Sequence, residues 1–257
     1  MRLFSLGQVN GRLVAVGGEL KEEITGSCVR YCNDKMYVLN ESSNKWNEEE
    51  IPSMPTARLS PAVLCLRKAL IVAGGDPGGS EFSNAVEIFK PADSQWYRTN
   101  PLPITAFNMS FVGMNREKYC YALGGYKGLC RLNHTLQASF DDLLLNAVPA
   151  DEKLYRHKAS PWKELSRTPA FRPAAAVLGD SLFAIGGSMY SDVQDSTPHK
   201  GVYKYTPSTN TWDNIGDLPA PRSSTTVAVI SPAEILVIGG KDGVTRVKSV
   251  YKGTYHN

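Results

Sequence analysis

Five aliphatic runs that each stop at a glycine pair, four tryptophans in register behind them and a repeat of about fifty residues predict an all-β fold of five blades, the architecture of a β-propeller. The pairs are Gly17-Gly18, Gly74-Gly75, Gly124-Gly125, Gly186-Gly187 and Gly239-Gly240, preceded by LVAV, LIVA, CYAL, LFAI and LVI. Trp46, Trp96, Trp162 and Trp212 each follow one pair and precede a proline-bearing segment, IPSMPTAR, PLPITAF, RTPAFRP or LPAPR. The repeats run approximately over residues 1–54, 55–103, 104–168, 169–219 and 220–257 of one propeller domain.

Each blade reads as four antiparallel strands, inner, second, third and outer. In the second blade they are expected over residues 60–66, 69–73, 85–89 and 95–98, with Arg67-Lys68 as the first tight turn. The equivalent turns are Asn10-Gly11, Gly179-Asp180 and longer forms at residues 115–118 and 231–234; Asn-Gly and Gly-Asp accept the positive φ of primed hairpin turns. The first blade opens with an inner strand over 3–9, and MYVLN at 36–40 and VYKYT at 202–206 read as third strands. A glycine pair at the end of the second strand lets the chain leave the blade close to its neighbour. A tryptophan on the outer strand covers apolar area between blades.

Two repeats are irregular. In the third, residues 135–140 read as the third strand and 141–160 as an enlarged connection on the hairpin rim, with a helical turn within 141–147. Leu143–Leu145 there is either a partner contact or a cap on the blade's own edge. The fifth repeat gives strands over 225–230, 235–238 and 247–252 and then no tryptophan strand. It reads as part of a six-bladed propeller or as an open five-bladed assembly, with an exposed last strand that invites edge pairing.

Antiparallel order puts two loop sets on one face: those after each glycine pair and those joining an outer strand to the next inner strand. Arginine stands three residues after a proline in three of the second set, Arg58, Arg172 and Arg222, while Ala106 breaks the pattern. Three guanidiniums could grip acidic side chains by bidentate hydrogen bonds, or could bond backbone carbonyls between blades. The first set adds Glu19, Lys21, Asp76, Tyr126, Tyr190, Lys241 and Asp242 as candidate binding residues.

The order diglycine, Tyr- or Phe-bearing strand, Trp and Leu-Pro resembles the kelch repeat over nearly the whole chain. The resemblance implies a propeller that binds a peptide or protein on its loop face. In BTB–BACK–kelch adaptors that face recruits substrates to a cullin ubiquitin ligase, a role that here would require a longer parent chain. The family also contains enzymes, among them galactose oxidases, sialic acid epimerases and specifier proteins, so a sugar epimerase or oxidase-like activity is the alternative.

Composition narrows the choice. The net charge of +3 is mild and the basic residues are interleaved with acids, against a nucleic-acid stripe. The first residues lack a clean apolar core and cleavage site, and no apolar run reaches transmembrane length. With Cys28, Cys32, Cys65, Cys120 and Cys130 scattered and odd in number, the expectation is reduced thiols in a cytoplasmic protein. Sequons at Asn40, Asn108 and Asn133 are about as many as chance supplies. The histidines, His134, His157, His199 and His256, fall in loops or at the terminus. No H-E-x-x-H, Cys-x-x-Cys or G-x-S-x-G occurs, so neither a catalytic residue nor a metal or other cofactor is expected. The expected ligand is a protein or peptide, with no nucleic acid and no membrane.

Overall fold

A computed structural model describes residues 3–24, 27–48, 51–79, 81–114, 116–152, 159–189 and 197–256. Asn115 in one expected turn and the candidate Tyr190 lie outside them. The fold is all-β, in a five-bladed propeller arrangement with, among the described residues, one short helix, Phe140–Leu145. Its contacts fall into two units, one holding residues 1–109 and 138–162, the other 110–137 and 163–257.

The first unit contains two blades. Ser5–Val9, Arg12–Val16, Met36–Asn40 and Lys45–Glu48 pair in that order, as do Ala62–Leu66, Ala69–Ala73, Val86–Lys90 and Gln95–Thr99. Every residue of Ala69–Ala73 is buried, with a paired strand on each side, Ala62–Leu66 and Val86–Lys90, and the first blade packed against one face. Val14, Val16, Met36, Val38, Leu70, Val72, Phe89 and Trp96 form the core between these blades. Each full burial of such a side chain contributes about 1.5–3 kcal/mol.

The second unit holds the fourth blade, Ala174–Leu178, Ser181–Ile185, Gly201–Thr206 and Thr211–Asp217, and the three-stranded fifth, Thr226–Ser231, Glu234–Ile238 and Val250–Thr254. The third blade pairs Ser110–Met114, Tyr119–Leu123, Thr135–Ser139 and Lys163–Leu165. One cluster in this unit joins Leu123, Leu165, Leu182 and Tyr205, and another joins Leu178, Phe183, Ile185, Leu218, Ile235 and Val237.

The glycine pairs act as inter-blade staples. Gly74 has φ +62°, and a Cβ there would lie 2.3 Å from the Ala106 carbonyl oxygen, which accepts the Gly75 N–H at 2.8 Å. Gly186-Gly187 repeats this on the Arg222 carbonyl, with contacts of 2.6 and 2.8 Å. Tight approach and positive φ together leave no residue but glycine at these positions. The tryptophans make the complementary contact: the indole N–H donates backward to Pro52 O from Trp96 (2.7 Å), to Asn100 O from Trp162 (3.1 Å) and to Ser166 O from Trp212 (3.0 Å). Trp46 is the exception, 43 % exposed.

The insertion in the third repeat does not cap its own blade. Val148–Pro149 pairs with Arg98 and Tyr97, adding a fifth strand to the second blade. Thr99 Oγ1 donates to Leu143 O at 2.6 Å, and Asn146 Nδ2 donates to Asn100 Oδ1 at 2.6 Å. Leu143 is fully buried and Leu145 is 72 % exposed, so the expected Leu143–Leu145 unit divides into a core residue and a surface residue. The reason is steric: a six-residue helix turns successive side chains by 100°, so it cannot bury three in a row.

Candidate functional site

The loops after the glycine pairs are small hairpins of their own. Glu19–Ile24 pairs with Ser27–Cys32, Tyr126–Lys127 with Cys130–Arg131, Ser188–Met189 with Thr197–Pro198, and Lys241–Asp242 with Thr245–Arg246. Gly128 and Gly243 supply the left-handed turns, at φ +61° and +64°. After the second pair, Asp76 takes over by accepting the Gly78 N–H on Oδ1 at 2.8 Å.

Backbone bridges tie these hairpins to the lead-in loops of the inner strands: Leu59 with Asp76, Phe171 with Ser188, and Ser223 with Lys241. The bridges also set the register, and it corrects the grouping of the arginines. Arg58 and Arg222 precede the bridged residue, whereas Arg172 follows it, level with Ser60 and Ser224. All three of those residues have left-handed φ, 44°, 50° and 52°, as does the equivalent Asn108 at 55°.

Arg58 has no exposed surface. Its guanidinium donates to Gly74 O (2.8 Å), Ala85 O (3.2 Å) and Thr56 O (3.1 Å) and pairs with the buried Glu87 carboxylate. Burial pushes its pKa below the usual arginine value and Glu87 opposes that shift. It is a brace between glycine pair and lead-in loop, out of reach of a ligand. Arg222, 4 % exposed, bonds Pro221 O, Ser249 Oγ and Tyr251 Oη.

Arg172 differs. Its guanidinium carbon lies 3.9 Å from the centroid of the Tyr126 ring, its Nη1 donates to Tyr126 Oη and reaches Ser224 Oγ at 3.4 Å, and its Nε has no partner. Arg131 sits directly across the hairpin from Tyr126, and its buried Nε is unpartnered too. Burial pushes the Arg172 pKa down, Tyr126 opposes that shift and the Arg131 charge adds to it. Two guanidiniums near enough for one charge to act on the other make a cradle for an anion, and a planar carboxylate matches arginine donor geometry.

Of the other expected residues, Tyr126 joins Arg172, and Lys241 and Asp242 lie exposed in their hairpin. Glu19 and Lys21 lie in the first hairpin and Asp76 in the second blade's loop, all in the other unit. Leu129, in the same hairpin as Tyr126 and Arg131, and Val244, in the hairpin of residues 241–246, stand 99 % and 89 % exposed at hairpin tips. Arg131, Leu129 and Val244 were missed by sequence reasoning. The Lys-Gly and Asp-Gly turns flanked by short pairs of residues were the available signal. Among the described residues, no group of three His, Cys, Asp or Glu side chains is placed to hold a metal, and no helix is long and apolar enough to cross a membrane.

The Kelch motif family matches residues 169–219, the stretch of the fourth blade. Kelch-like protein 36 of Rattus norvegicus is 25% identical over 267 residues, covering 89% of this chain and 42% of its own length. An N-acetylneuraminate epimerase of Haemophilus influenzae is likewise 25% identical over 259 residues, covering 87% and 67%. A solved structure of YjhT superposes with a TM-score of 0.73 at 14% identity, covering 96% of this chain and 80% of that one. The chain thus spans less than half the length of that Kelch-like relative. Glycine staples, tryptophan strands and these matches together make the chain similar to kelch-repeat proteins.

Proposed function

We propose that the chain is a protein-interaction module whose loop face takes an acidic segment of a partner protein. The observation that carries this reading is the Arg172–Arg131 cradle, two cations that act on each other with no carboxylate bonded to either guanidinium among the described residues. Leu129, exposed at the tip of the hairpin that carries Tyr126 and Arg131, supplies an apolar anchor beside a charged centre, a composition suited to protein recognition. Kelch-like relatives support the same class. Substrate recognition for a ubiquitin ligase is the finer form of this reading, tested by co-precipitation of a cullin with the longest natural form of the protein.

The decisive experiment is selection of a random peptide display library on the purified chain. Peptides rich in Asp and Glu should be enriched, and Arg172→Ala and Arg131→Ala should each weaken the selected peptide about tenfold or more, since a hydrogen bond to a charged group contributes about 1.5–3 kcal/mol. Enrichment without acidic bias, or unchanged binding by both variants, would sink the reading.

The epimerase relative favours a second reading, because a carboxylated sugar would also suit two guanidiniums. Faster anomer interconversion of N-acetylneuraminate in the presence of the chain, followed by NMR, would establish it; a rate equal to buffer leaves the interaction module.

A further inference from the structure

We propose, resting on the protein-interaction reading above, that the Arg172–Arg131 cradle takes a phosphorylated side chain of the partner segment in preference to a carboxylate. Phosphorylation of the partner then switches binding on.

Backbone holds the cradle in place. A Cβ on Gly17, Gly74 or Gly186 would meet a carbonyl oxygen, that of Arg58, Ala106 or Arg222, at 2.6, 2.3 or 2.6 Å. On Gly124 it would meet Arg172 Cα instead, at 2.8 Å. The lead-in loop here is short, with five residues from Pro169 to Ala174 against seven from Pro55 to Ala62, so Arg172 stands where the other loops present a carbonyl. Its N–H donates to Leu132 O at 3.1 Å. Arg131 precedes that residue in the hairpin that Gly128 turns at φ +61° and that the Leu132 N–H closes on Gly125 O at 2.9 Å. Both guanidiniums therefore spring from pinned backbone, and little ordering is left to do when an anion arrives.

Charge favours phosphate. Arg172, Arg131 and Lys127, the exposed neighbour of Tyr126 in the same hairpin, are three cations, and among the described residues none of them pairs with a carboxylate. A carboxylate brings one negative charge, whereas a phosphate monoester brings about −1.5 to −2 at pH 7 on three acceptor oxygens. Arg172 is half-buried, and the burial and the Arg131 charge that push its pKa down both make its cation poorly compensated. A dianion offsets that more fully than a monoanion.

Donor count points the same way. Exposed Ser224 Oγ accepts from Arg172 Nη1 at 3.4 Å, which leaves its own O–H for an oxygen of the ligand. Two guanidinium forks and this hydroxyl are three donor groups, one for each terminal oxygen of a phosphate monoester. Leu129, a single apolar side chain at the hairpin tip, suits a flanking peptide residue and offers too little area to enter a bilayer.

The test retains the intact chain on three degenerate peptide libraries that share random flanks and differ at one central residue, phosphoserine, glutamate or serine. Phosphoserine should retain the chain about tenfold or more better than glutamate, and glutamate better than serine, as the added charge-assisted hydrogen bonds require. Inorganic phosphate should compete, and acetate at equal concentration should not. Arg172→Ala and Arg131→Gln, each checked for an unchanged melting temperature, should bring phosphoserine down to the level of glutamate. A preference that survives both substitutions, or sedimentation with phosphatidylinositol 4-phosphate vesicles as strong as phosphopeptide retention, would overturn the proposal. Equal retention by phosphoserine and glutamate above serine sinks this proposal alone, and retention by neither above serine sinks the acidic-segment reading with it.

Discussion

Arg58 and Arg172 are the same residue type set at different register positions, and solvent access separates what they do. Arg58 is sealed with Glu87, and removing one partner of a buried pair strands the other charge. Arg58→Ala should cost about 3–5 kcal/mol in urea denaturation. Arg172→Ala should cost about 1 kcal/mol or less, the scale of its stacking on Tyr126. The shared proline spacing hid this difference. Seven residues separate Pro55 from the strand start Ala62, but only five separate Pro169 from Ala174. Strand pairing, and not the proline, fixes which way a side chain faces.

A third residue-scale case is His199, whose Nε2 lies 2.8 Å from Tyr203 Oη with Asp217 and Lys200 nearby. Burial holds its pKa below 6.5; Asp217 raises it and Lys200 lowers it further. Above that value both folded and unfolded chains carry neutral imidazole. As pH falls below it, the unfolded chain binds a proton that the folded chain resists, so stability is lost toward and through the depressed folded value. Thermal melts of His199→Gln should show a shallower loss over that acid range than the parent.

At the scale of elements, the glycine-ended runs made the second strands legible almost to the residue, and 69–73 coincides with Ala69–Ala73. The inserted segment was legible as a helix with a connection, but not in its destination. Only tertiary contact shows that Val148–Pro149 joins the preceding blade, since a two-residue strand leaves no periodicity to read. Leu143→Ala should cost about 2–4 kcal/mol as a buried cavity mutation. Leu145→Ala should stay within about 0.5 kcal/mol, both read from denaturation midpoints. The hairpins after the glycine pairs escaped notice for the same reason, which is why Arg131 did.

For the whole molecule, repetition made the fold plain and left the ligand obscure. Every blade needs the staple and all but the fifth carry the indole, whereas the cradle depends on single residues that no period announces. The unpaired edge was also legible, from a tryptophan that does not recur. Lys252 on the last strand pairs with Glu234 at 2.6 Å, and Lys248 stands two residues before that strand. Replacing both with valine should accelerate aggregation measured by light scattering, without lowering the melting temperature by more than a few degrees. A smooth scattering baseline equal to that of the parent would show the edge to be protected by other means.

The left-handed position shared by Leu3, Ser60, Asn108, Arg172 and Ser224 has a further consequence. Its backbone is held alike in each blade by neighbours that do not depend on the side chain, so the residue there can change while the sheet beneath it stays as it is. The recognition proposed above is thereby written as a short word, one letter per blade, spelt here Leu, Ser, Asn, Arg, Ser. A different word on the same frame would address a different partner.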